Sequence, residues 1–280
     1  MTQAIVRIQS PEERAYARYL TEIETRKRRV ADLQAELEAL KLALGRFEAE
    51  YHARVGVLFV ELDRVRLAID EYERRIAWLQ SHPDGDPAEA EREIEREFRT
   101  RHEEIHTEEE ETRRYERAFQ RDQARPKLAA DAEQEVKQLY RDLAKRYHPD
   151  LARTDAERRQ RETIMQQVNA AFHDRNLDGL RGLFREAEVE DPAFEMRSIG
   201  EKLVWAIREV ARLDEVIADR MAVIAEARTS DTFQLLSRQQ KDEAVIEMLE
   251  SDLRRELAFS RDRLAELIAT YRHLLPRTMT

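Results

Sequence analysis

The residues in this sequence best suited to chemistry form a tripeptide at the end of a basic helix. His148, Pro149 and Asp150, here called the HPD loop, close the stretch VKQLYRDLAKRYHPD. Because proline disfavours helical geometry in the residue before it, we expect the tripeptide to form the loop that ends the helix. A rigid loop holds an imidazole and a carboxylate at fixed positions, which is typical of a contact with another molecule.

The helix before the HPD loop has two separate faces. Basic residues recur every four positions at Lys137, Arg141 and Lys145, and Arg146 follows them. Residues four apart share one side of a helix, so this basic face points to water. The apolar stripe on the other side consists of Val136, Leu139, Tyr140, Leu143 and Tyr147.

A second amphipathic helix follows the HPD loop. The run RRQRETIMQQVNAAF includes five apolar residues at helical spacing, namely Ile164, Met165, Val168, Ala171 and Phe172. Asp131 is expected to cap the first helix, with Gln134 reaching back as in a capping box. The predicted unit is therefore a basic helix, a loop and a returning helix packed on the first.

This arrangement resembles the J-domain (DnaJ-like) family, whose members activate the ATPase of DnaK-type heat-shock chaperones. The resemblance covers roughly Asp131 to Phe172 and depends on the HPD loop, the YR-LA-(K/R)-Y pattern before it and the M-QQVNAAF run after it. It implies that His148, Pro149 and Asp150 contact the chaperone and stimulate ATP hydrolysis there. It also implies that the chaperone's acidic surface binds four basic residues: Lys137, Arg141, Lys145 and Arg146.

The chain departs from the family outside this unit. The sequence RYERAFQRDQARPKLAAD stands where the family has its first short helix, and HDRNLDGLRGLF replaces the usual end of the third helix with a short turn and another helix. There is no Gly/Phe-rich linker and no cysteine-rich zinc module, so this is not a full-length DnaJ. The chain looks like the bacterial coiled-coil proteins with an embedded J-like segment.

Two functions therefore remain open. The first is a co-chaperone that stimulates a DnaK-type partner, with coiled coils for client binding, localisation or oligomerisation. The second is a coiled-coil scaffold whose degenerate J-like segment only mediates protein interaction. A second copy of the tripeptide, His82-Pro83-Asp84, is followed by Gly85-Asp86-Pro87 rather than by a returning apolar helix, and we interpret it as a turn.

The composition predicts an all-α fold made of a few long helices. Of 280 residues, 39% are charged, and there are only 6 glycines and 7 prolines, which is typical of long helices and coiled coils. We predict long antiparallel coiled-coil hairpins flanking a small J-domain-like helical hairpin. The expected segments are an N-terminal hairpin at 11–123 with a turn near 81–87, the J-like segment at 130–185 and a C-terminal hairpin at 192–276.

A heptad repeat runs along the first long helix and defines its seam, meaning the residues at recurring steps of three and four, all of them apolar except Arg26. Phe47, Tyr51 and Val55 are separated by two consecutive steps of four, which is a stutter in the repeat. The seam needs a partner helix, supplied either within the chain or by a second copy in a homo-oligomer. The seam consists of Tyr16, Tyr19, Ile23, Arg26, Val30, Leu33, Leu37, Leu40, Leu44, Phe47, Tyr51, Val55, Leu58, Leu62, Val65, Ile69, Tyr72, Ile76 and Leu79.

Two further seams lie in the C-terminal segment, and a break is expected near 229–241. Either two antiparallel helices bury both seams against each other, or one kinked helix continues through. The first of these seams contains Leu203, Ile207, Val210, Leu213, Ile217, Met221 and Ile224. The second contains Val245, Met248, Leu249, Leu253, Leu257, Leu264, Leu267, Tyr271 and Leu274.

Charge and motifs narrow the expected function. A net charge of −10 disfavours nucleic-acid and membrane binding. The absence of cysteine, of a secretory pattern and of a transmembrane run favours a cytoplasmic protein. We find no phosphate loop and no nucleophile with an assigned base, so we expect no enzymatic activity and no cofactor. His102 and His106 lie four apart, but we expect no metal site there.

Overall fold

The computed structural model describes residues 10–83, 85–124, 128–152, 154–185, 198–241 and 244–275. These residues form helices and turns without any β-strand, which confirms the all-α fold class. The α-helices are α1 (Pro11–Tyr51), α2 (Val57–Ser81), α3 (Pro87–Gln123), α4 (Ala130–Tyr147), α5 (Asp155–His173), α6 (Leu177–Arg185), α7 (Ile199–Thr229), α8 (Asp231–Gln239) and α9 (Val245–Leu274). None of them has the length and hydrophobicity needed to cross a bilayer.

The helices group into two compact units, each assembled from separate stretches of the chain. The first unit comprises Met1–Ala43 and Pro126–Ser230, and the second comprises Leu44–Arg125 and Asp231–Thr280. The sequence predicts three consecutive segments instead. The two descriptions differ because a heptad pattern indicates that a helix needs a partner without indicating which helix that partner is.

In the first unit, the seam of α1 packs against α7. The buried residues are Ile23, Val30, Leu33 and Leu37 from α1 and Ala206, Leu213 and Ile224 from α7. Ion pairs join Arg26 to Asp214 at 2.7 Å and Glu36 to Arg228 at 2.7 Å, so the two helices run in the same direction. Two residues of the predicted α7 seam, Ile207 and Met221, are exposed, because the helix instead turns the small Ala206 toward α1.

A second face of α1 packs against the hairpin formed by α4 and α5. It consists of Ala31, Gln34, Ala35 and Glu38, at spacings of three, one and three, and all four residues are buried. The two alanines join the core of the hairpin. Helix α1 therefore has a mainly apolar face toward α7, and its face toward the hairpin consists of small and polar side chains.

In the second unit, α2 and α3 form an antiparallel pair joined by a turn. Ion pairs connect Arg75 to Glu91 at 2.8 Å and Asp70 to Arg101 at 2.6 Å, so residue numbers rise on one helix as they fall on the other. The core between them contains Leu67, Trp78, Ala90, Ile94 and Phe98. Helix α3 starts where the Asp86 side chain accepts a hydrogen bond from the Ala88 N–H, as expected for an N-cap. Helix α2 ends at Ser81 and α3 begins at Pro87, which are the positions between which the sequence predicts a turn.

The stutter in the heptad repeat coincides with a π-helical turn at His52–Gly56, between α1 and α2. A π-helical turn holds more residues than an α-helical one, so it takes up the additional spacing of the seam without ending the helix. The His52 ring stacks on Tyr115 of α3 at 4.2 Å between ring centroids. The irregular turn is therefore part of the packing of the second unit.

Helix α9 packs along α2 and the π-helical turn that precedes it. Arg54 pairs with Glu250 at 2.9 Å and Glu73 pairs with Arg263 at 3.3 Å, so α2 and α9 run in the same direction. The expected break near 229–241 contains Ser230 and the short helix α8. Within its own unit, the seam of α7 packs on α1 and the seam of α9 packs on α2.

Candidate functional site

Helix α4 positions the HPD loop as the sequence predicts. Its apolar stripe is buried at Val136, Tyr140 and Leu143 and packs on α5, where the Tyr140 and Phe172 rings lie 4.5 Å apart. The helix begins at Ala130 with no side-chain cap, so the predicted capping by Asp131 is wrong. Asp131 is instead one of the acidic residues in the first turn, where it complements the helix dipole.

The helix ends at Tyr147 because His148 leaves helical geometry, with φ −57° and ψ 127°. A single 3₁₀ turn, Pro149–Leu151, follows and is closed by the Leu151 N–H donating to the His148 carbonyl oxygen at 2.9 Å. The Asp150 N–H donates to His148 Nδ1 at 3.1 Å. Since Nδ1 accepts this bond, the imidazole proton belongs on Nε2, which lies 3.3 Å from Gln34 Oε1 of α1.

His148 is almost fully buried, with 1% of its surface exposed. The pKa of His148 falls to about 4, mainly because the ring is buried; the nearby arginines, Arg220 foremost, also lower it, and Asp150 opposes them. The imidazole is therefore neutral near pH 7. A neutral ring agrees with Nδ1 acting as an acceptor.

Asp150 is held by arginines from two helices. Its carboxylate lies 3.2 Å from Arg158 of α5 and 2.7 Å from Arg220 of α7, and its backbone oxygen accepts a hydrogen bond from Arg212 of α7. Partial burial raises the pKa of Asp150, but the hydrogen bond from Arg220 and the neighbouring charges outweigh that effect, and the pKa lies below its usual value. Asp150 is thus a charged carboxylate that faces its own chain.

The basic face of α4 is partly occupied by carboxylates of α1. Lys145 pairs with Glu24 at 2.8 Å, and Arg141 lies 3.4 Å from Asp32. The hydrogen bond from Lys145 lowers the pKa of Glu24. Lys137 is exposed and forms no ion pair with any residue that the structure describes.

Arg146 lies apart from these ion pairs and is half-buried. Its guanidinium is 5.9 Å from the centre of the Tyr147 ring, a cation–π distance. The predicted chaperone-binding residues therefore lie on one hairpin and in one unit. Within that unit, α1 and α7 contact the HPD loop. Helix α1 also pairs with two of the four basic residues of the hairpin, Arg141 and Lys145.

A small cleft of about 200 Å³ opens beside the HPD loop. Its lining includes His148, Pro149, Gln34, Asn169 and Arg220. The Tyr140 hydroxyl donates to Asn169 Oδ1 at 2.8 Å, which fixes one wall. The cleft lies below the volume range of typical ligand pockets. It marks the place where α1, α5 and α7 meet the loop.

Sequence reasoning missed the residues that cover the loop. Gln34 and Glu38 sit one helical turn apart on α1, and Glu38 binds His173 of α5 at 2.9 Å. Arg212 and Arg220 lie on α7, far along the chain from the loop. The sequence of α1 does contain a pattern, since Ala31, Gln34, Ala35 and Glu38 share one helix face. Small and polar residues do not by themselves predict a buried contact, however.

The other histidine motifs occupy different surroundings. His82, in the second copy of the tripeptide, is exposed and its ring stacks on Trp78 at 4.6 Å. Asp84 of that copy lies outside the described residues. His102 contacts Glu71 at 2.6 Å, and the described part of the chain contains no group of three or more histidine and carboxylate side chains that could hold a metal ion.

Comparison with known proteins returned no match from protein-family models, from curated proteins or from solved structures. The resemblance to J domains therefore depends on the residues of the α4–α5 hairpin alone.

Proposed function

We propose that this protein is a non-enzymatic, cytoplasmic J-domain-like co-chaperone that binds a DnaK-type chaperone through the HPD loop and stimulates its ATPase. The observation that carries the proposal is the α4–α5 hairpin. In it, a helix with a basic face ends at a His-Pro-Asp turn and a returning helix packs on its apolar side. The long helices outside the hairpin would serve client binding, localisation or oligomerisation.

The charges of the hairpin suit an acidic protein partner. Lys137, Arg141 and Lys145 lie on successive turns of α4, so their spacing is close to 6 Å per step. A row of cations at this spacing attracts a negatively charged surface and orients it along the helix. The row leads directly to the HPD loop, so the same encounter would bring a partner to His148 and Asp150.

The chemistry of the reaction would belong to the partner. ATP would be hydrolysed on the chaperone, and this chain would supply binding energy and two polar contacts at a rigid turn. Pro149 holds the turn, and the Asp150 N–H to His148 Nδ1 hydrogen bond fixes the ring relative to it. A loop restrained in this way loses little conformational entropy on binding.

A second candidate is a scaffold in which the HPD loop has only a structural role. The burial of His148 favours it, because a side chain with 1% exposure does not contact a partner without movement. The two arginines of α7 that bind Asp150 favour it as well. In this case His148 would join α4 to α1, and the protein would act through surfaces elsewhere.

Single-turnover ATP hydrolysis by the cognate DnaK-type chaperone separates the two candidates. The intact chain, His148→Gln and the matched control His82→Gln would be compared over a range of concentrations. The co-chaperone function predicts acceleration by the intact chain and by His82→Gln, and its loss with His148→Gln. Equal acceleration by all three would remove the HPD loop from the mechanism. The scaffold would be favoured if none of these proteins accelerates ATP hydrolysis and if variants that expose the HPD loop also fail to do so.

A further inference from the structure

The HPD loop is covered from two directions by helices of its own unit. Gln34 of α1 contacts His148 Nε2, and Arg220 of α7 binds the Asp150 carboxylate. Arg212 of α7 also donates to the Asp150 backbone oxygen. Both polar side chains of the tripeptide are therefore engaged inside the molecule, at the atoms that would otherwise be available to a partner.

Helix α1 also presents negative charge to the basic face of α4. Glu24 and Asp32 lie two turns apart on α1 and pair with Lys145 and Arg141 in reverse chain order. An acidic partner surface would need the same two cations. Helix α1 therefore occupies the position that an acidic partner would take.

The contact between α1 and the hairpin consists largely of charged, polar and small side chains, so the two can separate. Its ion pairs are partly solvated, with side-chain exposures from 32% to 53%, and pairs of this kind contribute little to stability. The α1 residues beneath them are Ala31, Gln34, Ala35 and Glu38. The face of α1 toward α7 buries larger apolar side chains, so α1 and α7 can stay together while the hairpin moves away and withdraws Leu151 of its 3₁₀ turn from their shared core.

We propose that α1 and α7 form an autoinhibitory cover over the HPD loop, which the acidic surface of the chaperone opens by competing with Glu24 and Asp32 for Lys145 and Arg141. The inference depends on the proposed function and adds regulation to the same site. The cover sets a threshold, because the partner must displace the internal contacts before His148 and Asp150 become available.

Charge reversal on α1 tests the cover in the full-length chain. Glu24→Lys with Asp32→Lys replaces both ion pairs by repulsion and leaves the residues of α4 unchanged. Glu12→Lys with Glu22→Lys is the matched control, because it makes the same change of charge on the same helix at carboxylates whose partners within the described part of the chain are Ser10 and Arg26. We expect the opened variant to reach half-maximal ATPase stimulation at about tenfold lower concentration than the intact chain or the control.

A thiol probe measures the cover without the chaperone. The chain has no cysteine, so His148→Cys introduces a single thiol at the buried position and Lys137→Cys introduces one at an exposed position of the same helix. We expect maleimide to label the His148→Cys chain at least tenfold more slowly than the Lys137→Cys chain. Adding Glu24→Lys and Asp32→Lys should speed the labelling at position 148. Arg220→Gln offers a second route to the open state through α7, and circular dichroism verifies the helicity of each variant.

The two measurements distinguish failure of the autoinhibitory cover from failure of the co-chaperone function. If the intact chain and the opened variant stimulate the chaperone equally, the cover does not regulate and only the inference is overturned. Labelling at position 148 as fast as at position 137 in the otherwise unaltered chain also overturns the inference. If labelling accelerates on opening but no protein stimulates ATP hydrolysis, the co-chaperone function is refuted and the inference is refuted with it.

Discussion

Acid should destabilise the first unit through His148, because its imidazole is buried in the neutral form. The groups facing the ring are Asp150 in the loop, Arg158 and Arg161 on α5 and Arg220 on α7, with the neutral Gln34 on α1. Burial is the main reason that the pKa of His148 falls to about 4. Three guanidinium groups against one carboxylate leave no net attraction for a proton on the ring.

The direction and size of the effect follow from proton linkage. In the unfolded chain His148 regains a pKa of about 6.5, so on acidification the unfolded state binds a proton before the folded state does. The contribution of neutral His148 to the stability of the unit is fully present above about pH 7. It is lost as the pH falls from about 6.5 to about 4 and does not change further below that. Over this range the unfolded chain binds one proton at His148 that the folded chain does not bind, and each pH unit of this difference is worth about 1.4 kcal/mol. Acidification from about pH 7 to pH 5 therefore lowers the free energy of unfolding by about 2 kcal/mol. Asp150 adds a loss only at still lower pH, because its pKa lies below the usual aspartate value.

Urea unfolding at pH 7 and pH 5 measures the effect in the relevant unit. Trp205 lies in the first unit and Trp78 in the second, so Trp78→Phe leaves a fluorescence signal from the first unit alone. In this background, His148→Gln should lose about 2 kcal/mol less than the parent between the two pH values. His82→Gln, which changes the exposed copy of the tripeptide, should behave as the parent does.

Parallel pH dependence in the parent and His148→Gln would refute the reasoning. It would mean either that His148 is protonated in the folded unit or that water reaches it. Both cases contradict the buried, neutral imidazole and the hydrogen bond that Nδ1 accepts from the Asp150 N–H.

Three further substitutions test the packing. Leu143→Ala, at a fully buried position between α4 and α5, should cost the first unit about 3 kcal/mol in urea unfolding, and a loss below about 1 kcal/mol would contradict its place in the core. Tyr140→Phe removes the hydrogen bond to Asn169 and should cost about 1 kcal/mol in the same assay, whereas no loss would indicate that water replaces the hydroxyl. Arg54→Gln should weaken the packing of α9 on α2 by about 1 kcal/mol, mainly through Glu250, and thermal unfolding of the second unit should show a smaller difference from the parent at 1 M salt.

Local features of the fold could be predicted because they depend on neighbouring residues. Pro149 ends α4 after Tyr147, the glycine and prolines at 81–87 separate α2 from α3, and the stutter at Tyr51 and Val55 marks the π-helical turn. The pairing of helices could not be predicted. The seam of α9 fits α2 through Arg54 and the other charges beside it, and periodicity contains no information about that choice.

The candidate site divides in the same way. The α4–α5 hairpin is continuous in sequence, so the stripe ending at Leu143 and the returning residues up to Phe172 predict their own packing. The covering residues come from other parts of the chain, since Gln34 lies 114 positions from His148 and Arg220 lies 70 positions from Asp150. Single polar residues at such separations have no period that a sequence pattern could reveal.

The composition of α1 bears on the choice between the two candidate functions. A scaffold that uses the hairpin only as a packing element would be best served by an apolar contact on both faces of α1. The face toward α7 has that composition, with Val30 and Leu33 buried, but the face toward the hairpin contains Gln34 and Glu38. Buried polar groups and, at the edge, the partly solvated ion pairs of Glu24 and Asp32 define the position of the hairpin while adding little to the free energy of separation. That combination favours a contact that opens over one that only holds the unit together.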